Sequence, residues 1–343
     1  MKKDLLGLGA AIAIAAVSIA GLMKTSQAAE EVNVYSYRQP FLIDPMFDAF
    51  TKETGIAVNV VYAKKGLEQR IKQEGPNSPA DLIMSVDIGR LSSIVNKGLT
   101  QPVESEILET AIPANLRSTE NQWFALTTRA RIVYASKDRV PEGDLTTYED
   151  LADPKFKGRI CTRAGNHSYN LALIASMIDV HGEAKTEEWL KGLKANLARK
   201  PQGNDRAQVK AIWQGECDLS IGNTYYMGKM MSDKKQIEWA NSVRIIFPNQ
   251  EGRGTHINVS GVSMAKYAPN RENAQKLMEF LVSDKAQALY AELNFEYPVK
   301  EGVEWSPVVN TWGQFKTDDI SLDTIASLRD EASKLIDKVG FNE

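Results

Sequence analysis

The residues of this chain best suited to chemistry are tyrosines in short loops. Tyr37 stands in VYSYRQP, Tyr169 in NHSYN, and Tyr225 and Tyr226 side by side in GNTYYMGKM. Neighbouring residues point to opposite faces of a strand and diverge by about 100° on a helix, so the adjacent pair converges only at an irregular junction. An arbitrary Tyr-Tyr pair packs one ring in the core and leaves the other at the surface. A phenolate is a hard oxygen donor, but with a pKa near 10 it ionises at neutral pH only beside a strong cation. Ferric iron is such a cation and selects oxygen donors. Softer metals would call for thiolates or a histidine cluster, and His167, His181 and His256 are scattered. Calcium would call for several carboxylates in one loop, and no DxDxDG pattern occurs. Arg38 and Gln39 beside Tyr37, and Arg129 in TTRAR, could hold a planar, carboxylate-like anion. A surface or hinge salt bridge is the alternative for each arginine, and Arg131 shares the strand face of Arg129. Asp87 in SVDIG could orient a hydroxyl or an arginine, or be a solvated loop carboxylate. No Ser/His/Asp set, paired catalytic carboxylates or phosphate loop is evident.

These loops need strands to deliver them. VNVYSY alternates as a strand, and DPMFDAFTKETG follows as a helix with Asp44 as N-cap, Pro45 at its first position and Gly55 as its stop. IAVNVVYA and PADLIMSV are further strands, and RLSSIVNKGLTQPV reads as a helix ended by Gly98. The segment TTYEDLADPKFKGRICTR predicts a helix and then a strand, and SYNLALIASMIDVHG a helix capped by Ser168 and closed by Gly182. CDLSIG is the strand that leads to the tyrosine pair. WFALTTRARIVYAS and VRIIFPNQEGRGTHINVSGVSMAK are long extended runs, with His256 in the second, and the end of the chain is helical. Strand-helix alternation with two long crossings predicts an α/β fold of two lobes joined by hinge strands, with ligand bound in the cleft where strands end. The expected division is an N-lobe over 29–126, with about 253–303 returning to it, and a C-lobe over 127–252, with about 304–343 packing on it.

Composition narrows the partners. Lys2 and Lys3 precede an apolar Ala/Gly/Leu/Ile-rich stretch, and Ser26 and Ala28 are small residues at the −3 and −1 positions of a cleavage site. This is the layout of a secretory signal peptide over residues 1–28, with an uncleaved anchor as the alternative. Export to the periplasm as a soluble chain follows from cleavage after Ala28. A formal net charge of −3 argues against nucleic acid or an anionic membrane as partner. Cys161 and Cys217 are an even number in an oxidising compartment, so a disulfide between them is expected, against two buried thiols.

Several long segments carry a resemblance. VNVYSYRQPFLIDPMFDAFTKETGI, SPADLIMSVDIGRL, QWFALTTRARIVYASKDRV, GRICTRAGNHSYNLALIASMI, ANLARKPQGNDRAQVKAIWQGECDLSIGNTYYMGKM and ALYAELNFEYPVKEGV are similar to the periplasmic ferric-ion-binding proteins that feed ABC iron importers. The resemblance covers essentially the whole exported chain, and NHSYN followed by GNTYYMGKM is its most diagnostic part. It implies a type II solute-binding fold that is not an enzyme, with Fe(III) held by Tyr169, Tyr225 and Tyr226 and delivered by a monomer to an ABC permease. Many members add a histidine, and sometimes a tyrosine, from the first loop. This chain has Ser36-Tyr37-Arg38-Gln39-Pro40 there, with no histidine, so Tyr37, carbonate or another small anion, or water is left to complete the shell. Two rivals remain on the residues alone. One is the same fold binding a polyamine, thiamine or sugar by aromatic stacking. The other is a secreted metal-dependent enzyme, which needs an open metal position and a general base.

Overall fold

Alternating apolar residues give β1 (Glu31–Ser36), which buries Val32 and Val34 on one face. The computed structural model describes residues 30–343, so the signal peptide and its cleavage after Ala28 lie outside the described residues. The other strands are β2 (Ala57–Tyr62), β3 (Leu82–Ser85), β4 (Thr100–Gln101), β5 (Phe124–Ser136), β6 (Ile160–Cys161), β7 (Leu219–Asn223), β8 (Val243–Ile246), β9 (Ile257–Ala265) and β10 (Tyr297–Pro298). Their order, β2-β1-β3-β9-β5-β7-β6, makes a mixed sheet with helices on its faces, and β4, β8 and β10 pair off this path. Within it β1 runs parallel to β2 and β3, while β9 runs antiparallel to both β3 and β5.

Strand β5 is the shared spine. All thirteen of its residues are buried, as expected for a run rich in β-branched and aromatic side chains that is covered on both faces. From Phe124 to Ala130 it pairs with β9, and from Arg131 to Ser136 with β7 and β8. The change of partner along one strand divides the molecule into two lobes of the type II solute-binding fold, with β5 crossing between them.

Several local expectations shift by a residue or a helix type. Asp44 opens the first helix, Asp44–Thr54, from inside as its first residue, and Ile43 takes the cap position. Gly55 ends that helix in the left-handed conformation, as its position after the apolar repeat predicts. The helix Ser168–Ala195 is capped by His167, whose Nδ1 accepts from the Tyr169 N–H at 3.2 Å, so Ser168 is already helical. Gly182 (φ 77°, ψ 165°) is non-helical and closes the first helical run, as its place in the sequence predicts, and a second run continues beyond the kink to Ala195. TTYEDLADPKFKG forms two short 3-10 turns, Glu149–Ala152 and Pro154–Phe156, since Pro154 prevents one continuous helix. The carboxyl-terminal part ends in the helices Leu322–Ser327 and Arg329–Val339. The first of these touches both Ile88–Asn96 of the N-lobe and Ser168–Ala195 of the C-lobe, so this part of the chain contacts both lobes. Among the described residues no helix is long and apolar enough to cross a membrane.

Strands β6 and β7 run parallel with Ile160 opposite Leu219 and Cys161 opposite Ser220. Cys161 and Cys217, with Cα atoms 5.9 Å apart, are joined by a disulfide that encloses 56 positions. A loop of that length gives an entropic stabilisation of about 4 kcal/mol as an upper figure. The pair Cys161→Ser with Cys217→Ser should therefore lose about 2–4 kcal/mol in a denaturant titration. Protein recovered from an oxidising compartment with two free thiols by mass spectrometry would show that the bridge does not form there.

Candidate functional site

The parallel pairing of β6 and β7 brings their carboxyl ends out side by side, and each end carries tyrosines. The chain leaves β6 through Thr162–His167 and enters its helix at Ser168, so Tyr169 sits in the first turn. It leaves β7 through Thr224 and starts the helix Tyr225–Met231 at once. The Tyr169 and Tyr225 hydroxyls stand 3.3 Å apart. Tyr225 and Tyr226 occupy the first two helical positions, where the chain turns from strand to helix, and their ring centroids are 4.3 Å apart at a tilt of 40°. The irregular junction that adjacent tyrosines need in order to converge is therefore present.

Two buried ion centres hold this arrangement. Asp205, fully buried, accepts from Arg131 Nη1 at 2.7 Å, from Arg163 Nη1 at 2.9 Å and from the Asn223 N–H at 3.0 Å. Arg131 also donates to the Asn223 side chain at 2.9 Å and to that of Asn170 at 2.6 Å. One carboxylate thus fixes the end of β7 just before Tyr225 and, through the arginines, the residues around Tyr169. Burial alone would raise the Asp205 pKa, but the two guanidinium groups and the Asn223 amide hold it below the usual carboxylate range. The second centre is Glu296, which pairs with Arg38 and Arg129 and accepts from Thr127 Oγ1 at 3.0 Å. Here too burial opposes ionisation, and the facing arginines outweigh it and lower the pKa.

A cavity of about 670 Å³ opens between the lobes above these centres. Tyr169, Tyr225, Tyr226 and His167 line it from the C-lobe, and Tyr37, Arg38, Gln39 and Tyr62 from the N-lobe. Arg38, Lys64, Arg129, Arg163, Arg206 and Lys229 face it as cations, with Glu296 the single carboxylate among the lining residues. Desolvation and the neighbouring phenols push the Tyr225 hydroxyl well above its ordinary pKa, and Tyr226 is raised by desolvation, Tyr169 and the Asp205 carboxylate. Without a cation these hydroxyls are neutral. His167 is held down to about 4 by burial and by Arg163 and Arg131, which keeps its ring free to cap the helix.

The remaining predicted residues separate by what they touch. Arg129 donates to the Val86 carbonyl at 2.9 Å and Ser260 Oγ at 2.8 Å, while its Nε and Nη1 are buried without partners. Arg131, on the same strand face, is consumed by the Asp205 centre. Arg38 binds Ser260 and Glu296, and Gln39 is exposed at the rim. The Tyr37 hydroxyl accepts from the Glu68 N–H at 3.1 Å, and Arg90 lies 4.1 Å from its ring centroid. Burial raises its pKa. Asp87 caps the helix Ile88–Asn96 through the Arg90 N–H at 3.1 Å. His181 is bonded to Glu149 at 2.7 Å, and His256 lies buried 3.4 Å from Asp318, next to the start of β9. Among the described residues no group of three or more His, Cys, Asp and Glu is placed to hold a metal ion.

Sequence reasoning missed Asp205, Arg163 and Glu296. Arg163 could have been noticed, since CTRAGNHSY puts it in the Tyr169 loop. Nothing local marks Asp205 or Glu296, whose partners are distant in sequence. Phe295, before Glu296, has a positive φ of 58° and lays its ring on Gly228, where an added Cβ would come within 2.2 Å of the ring. Lys229 donates to the Leu293 carbonyl at 2.8 Å. The tyrosine helix is thereby seated on the N-lobe.

Two lobes joined by a crossing strand, with a phenol-lined cleft between them, are the architecture of a solute-binding protein. The chain belongs to the family of bacterial extracellular solute-binding proteins, which its residues 77–316 match. That is a family of binding proteins and not of enzymes. The chain is 48% identical over 315 residues to iron uptake protein A1 of Synechocystis sp., covering 91% of this chain and 88% of the relative. It is similar to the crystal structure of ferric iron-binding protein A of Mannheimia haemolytica in an open conformation. There the TM-score is 0.87 at 56% identity, over 92% of this chain and 100% of that one. It is also similar to IdiA (FutA) of Trichodesmium in complex with iron and citrate ligands, with a TM-score of 0.87 at 44% identity, over 91% and 99% of the two chains.

The Asp205 centre gives a stability prediction. Asp205→Asn leaves Arg131 buried without its counter-charge, which should cost about 3–5 kcal/mol in denaturant unfolding. The native carboxyl has a lowered pKa, so its contribution is complete above the unfolded-state value and is lost as pH falls through the folded-state value. Stability of the variant should consequently fall less on acidification than that of the parent.

Proposed function

We propose that this chain is the periplasmic Fe(III) receptor of an ABC iron-uptake system. In this reading it binds ferric iron as cargo, as a monomer, and presents the loaded cleft to the permease. Tyr169, Tyr225 and Tyr226 bind the ion as phenolates. The observation that carries this reading is three convergent phenols in a cleft whose charged lining residues are all cationic except Glu296. The cationic wall repels a small organic cation, and neutral phenols supply no counter-charge to offset that. A trivalent ion can displace their protons and turn the same groups into anions. The cationic wall then favours a small anion, carbonate or a carboxylate, beside the iron, with the unpartnered Arg129 donors, Arg38 and Gln39 as the groups to receive it. Tyr37 serves as wall, because its hydroxyl is already engaged by Glu68.

Iron-free protein titrated with ferric salt should develop a visible tyrosinate-to-iron band. Tyr169→Phe, Tyr225→Phe and Tyr226→Phe should each weaken binding by more than about tenfold while the fold is retained. A variant with full affinity and an unchanged band removes that tyrosine from the site. Since iron favours the deprotonated phenols, acid favours the empty form, and affinity should fall as pH drops. Added bicarbonate or citrate should move the pH of release. If release ignores both, the anion is discarded and the tyrosines stay. Iron retained without any visible band would overturn the ligand assignment, and a colourless protein that takes no iron would favour an organic solute.

A further inference from the structure

Arg329 is the first residue of the helix Arg329–Val339. The positive end of a helix dipole disfavours a cation there and prefers acids, which Asp330 and Glu331 supply. The guanidinium serves another purpose, for it reaches back between the lobes. Its Nη1 lies 3.4 Å from Asp87 Oδ1, on the residue that caps the N-lobe helix Ile88–Asn96. The same Nη1 donates to the Ser168 carbonyl at 3.4 Å. Ser168 immediately precedes Tyr169 and begins its helix. Gly89 makes room for this crossing, since a Cβ there would lie 2.1 Å from the guanidinium carbon. The preceding helix, Leu322–Ser327, packs against both of the helices that Arg329 bridges, and Asp323 accepts from Trp123 Nε1 at 3.1 Å.

We infer that Arg329 is an interlobe strut, a positioning residue that ties the N-lobe loop at Asp87 to the start of the helix carrying Tyr169. The inference rests on the reading of the cleft as the cargo site. The side chain is 19% exposed, so the link is largely shielded from solvent. Both contacts are at the long end of hydrogen-bond range, where a small rotation of one lobe makes or breaks them. The strut therefore acts on how the lobes sit and how long the cargo stays, and not on iron chemistry.

Three substitutions perturb the strut by different routes. Arg329→Met removes the charge and the donors. Gly89→Ala keeps Arg329 but puts a methyl where its guanidinium lies, at a helical position that favours alanine. Asp87→Asn keeps the helix cap, because asparagine caps as well as aspartate, and removes only the counter-charge. Spin labels at Ile107→Cys in the N-lobe and Val180→Cys in the C-lobe, both exposed, report the interlobe distance in iron-free protein. Arg329→Met and Gly89→Ala should each broaden that distance distribution and speed iron release to a chelator by about tenfold, within the range of ordinary coupling between sites. The absorption maximum should not move. Gly89→Ala should add nothing in the Arg329→Met background, since both act by removing the same guanidinium from its place. Asp87→Asn should fall between the parent and Arg329→Met. Unchanged distance distributions in the iron-free variants overturn the strut, whether or not iron binds. Strictly additive effects of Gly89→Ala and Arg329→Met overturn the shared contact. A parent protein that takes no ferric iron, yet whose interlobe distance responds to Arg329→Met, supports the strut and refutes the cargo reading instead.

Discussion

The site depends above all on one buried carboxylate. Asp205 is fully enclosed, and a lone charge there would be untenable, so the fold surrounds it with Arg131, Arg163 and the Asn223 amide. Each partner belongs to a different piece of the cleft floor: the crossing strand β5, the Tyr169 loop and the end of β7. Satisfying the charge therefore sets the relative position of three segments that sequence places far apart. The tyrosines come together because the strands under them run parallel, and they stay together because the charge beneath them has no other way to be neutralised.

The cleft shows a division of labour between structural and available charge. Asp205 and Glu296 use their arginines to stabilise the floor, and what remains exposed toward the cavity is an excess of positive charge over phenols that are neutral when empty. In the reading proposed above, such a surface acquires affinity when a cation strong enough to take protons from phenols arrives, and again when an anion follows. Selectivity in this picture arises less from shape than from the acidity a guest can impose on three hydroxyl groups.

Much of this was legible in the sequence, for identifiable reasons. Strand and helix alternation, the long buried run of β5 and the stop at Gly55 are local signals that the structure keeps, whereas the extended run from Val243 to Lys266 is divided by a turn at 248–253 into β8 and β9. The tyrosines could be singled out because they follow strands that end at a cleft. The failures are also physical. His167 outcompetes Ser168 as cap because its ring can turn back onto the Tyr169 amide, which no propensity reports. Pro154 divides a segment whose composition suggested one helix. Glu296 was not found because its partners, Arg38 and Arg129, lie far from it along the chain and no spacing rule reveals such pairings. Arg131 could not be told from Arg129 until the sheet showed that β5 changes partners between them.

The contact between Gly228 and Phe295 bears on how this molecule can change over generations. The ring rests on bare backbone, and any side chain at 228 would have to occupy space already filled by an aromatic carbon. Phe295 in turn holds a left-handed backbone angle next to the carboxylate that binds Arg38 and Arg129. A larger residue at 228 would therefore need a smaller one at 295, so the space between the two is a single volume that one side chain or the other can fill.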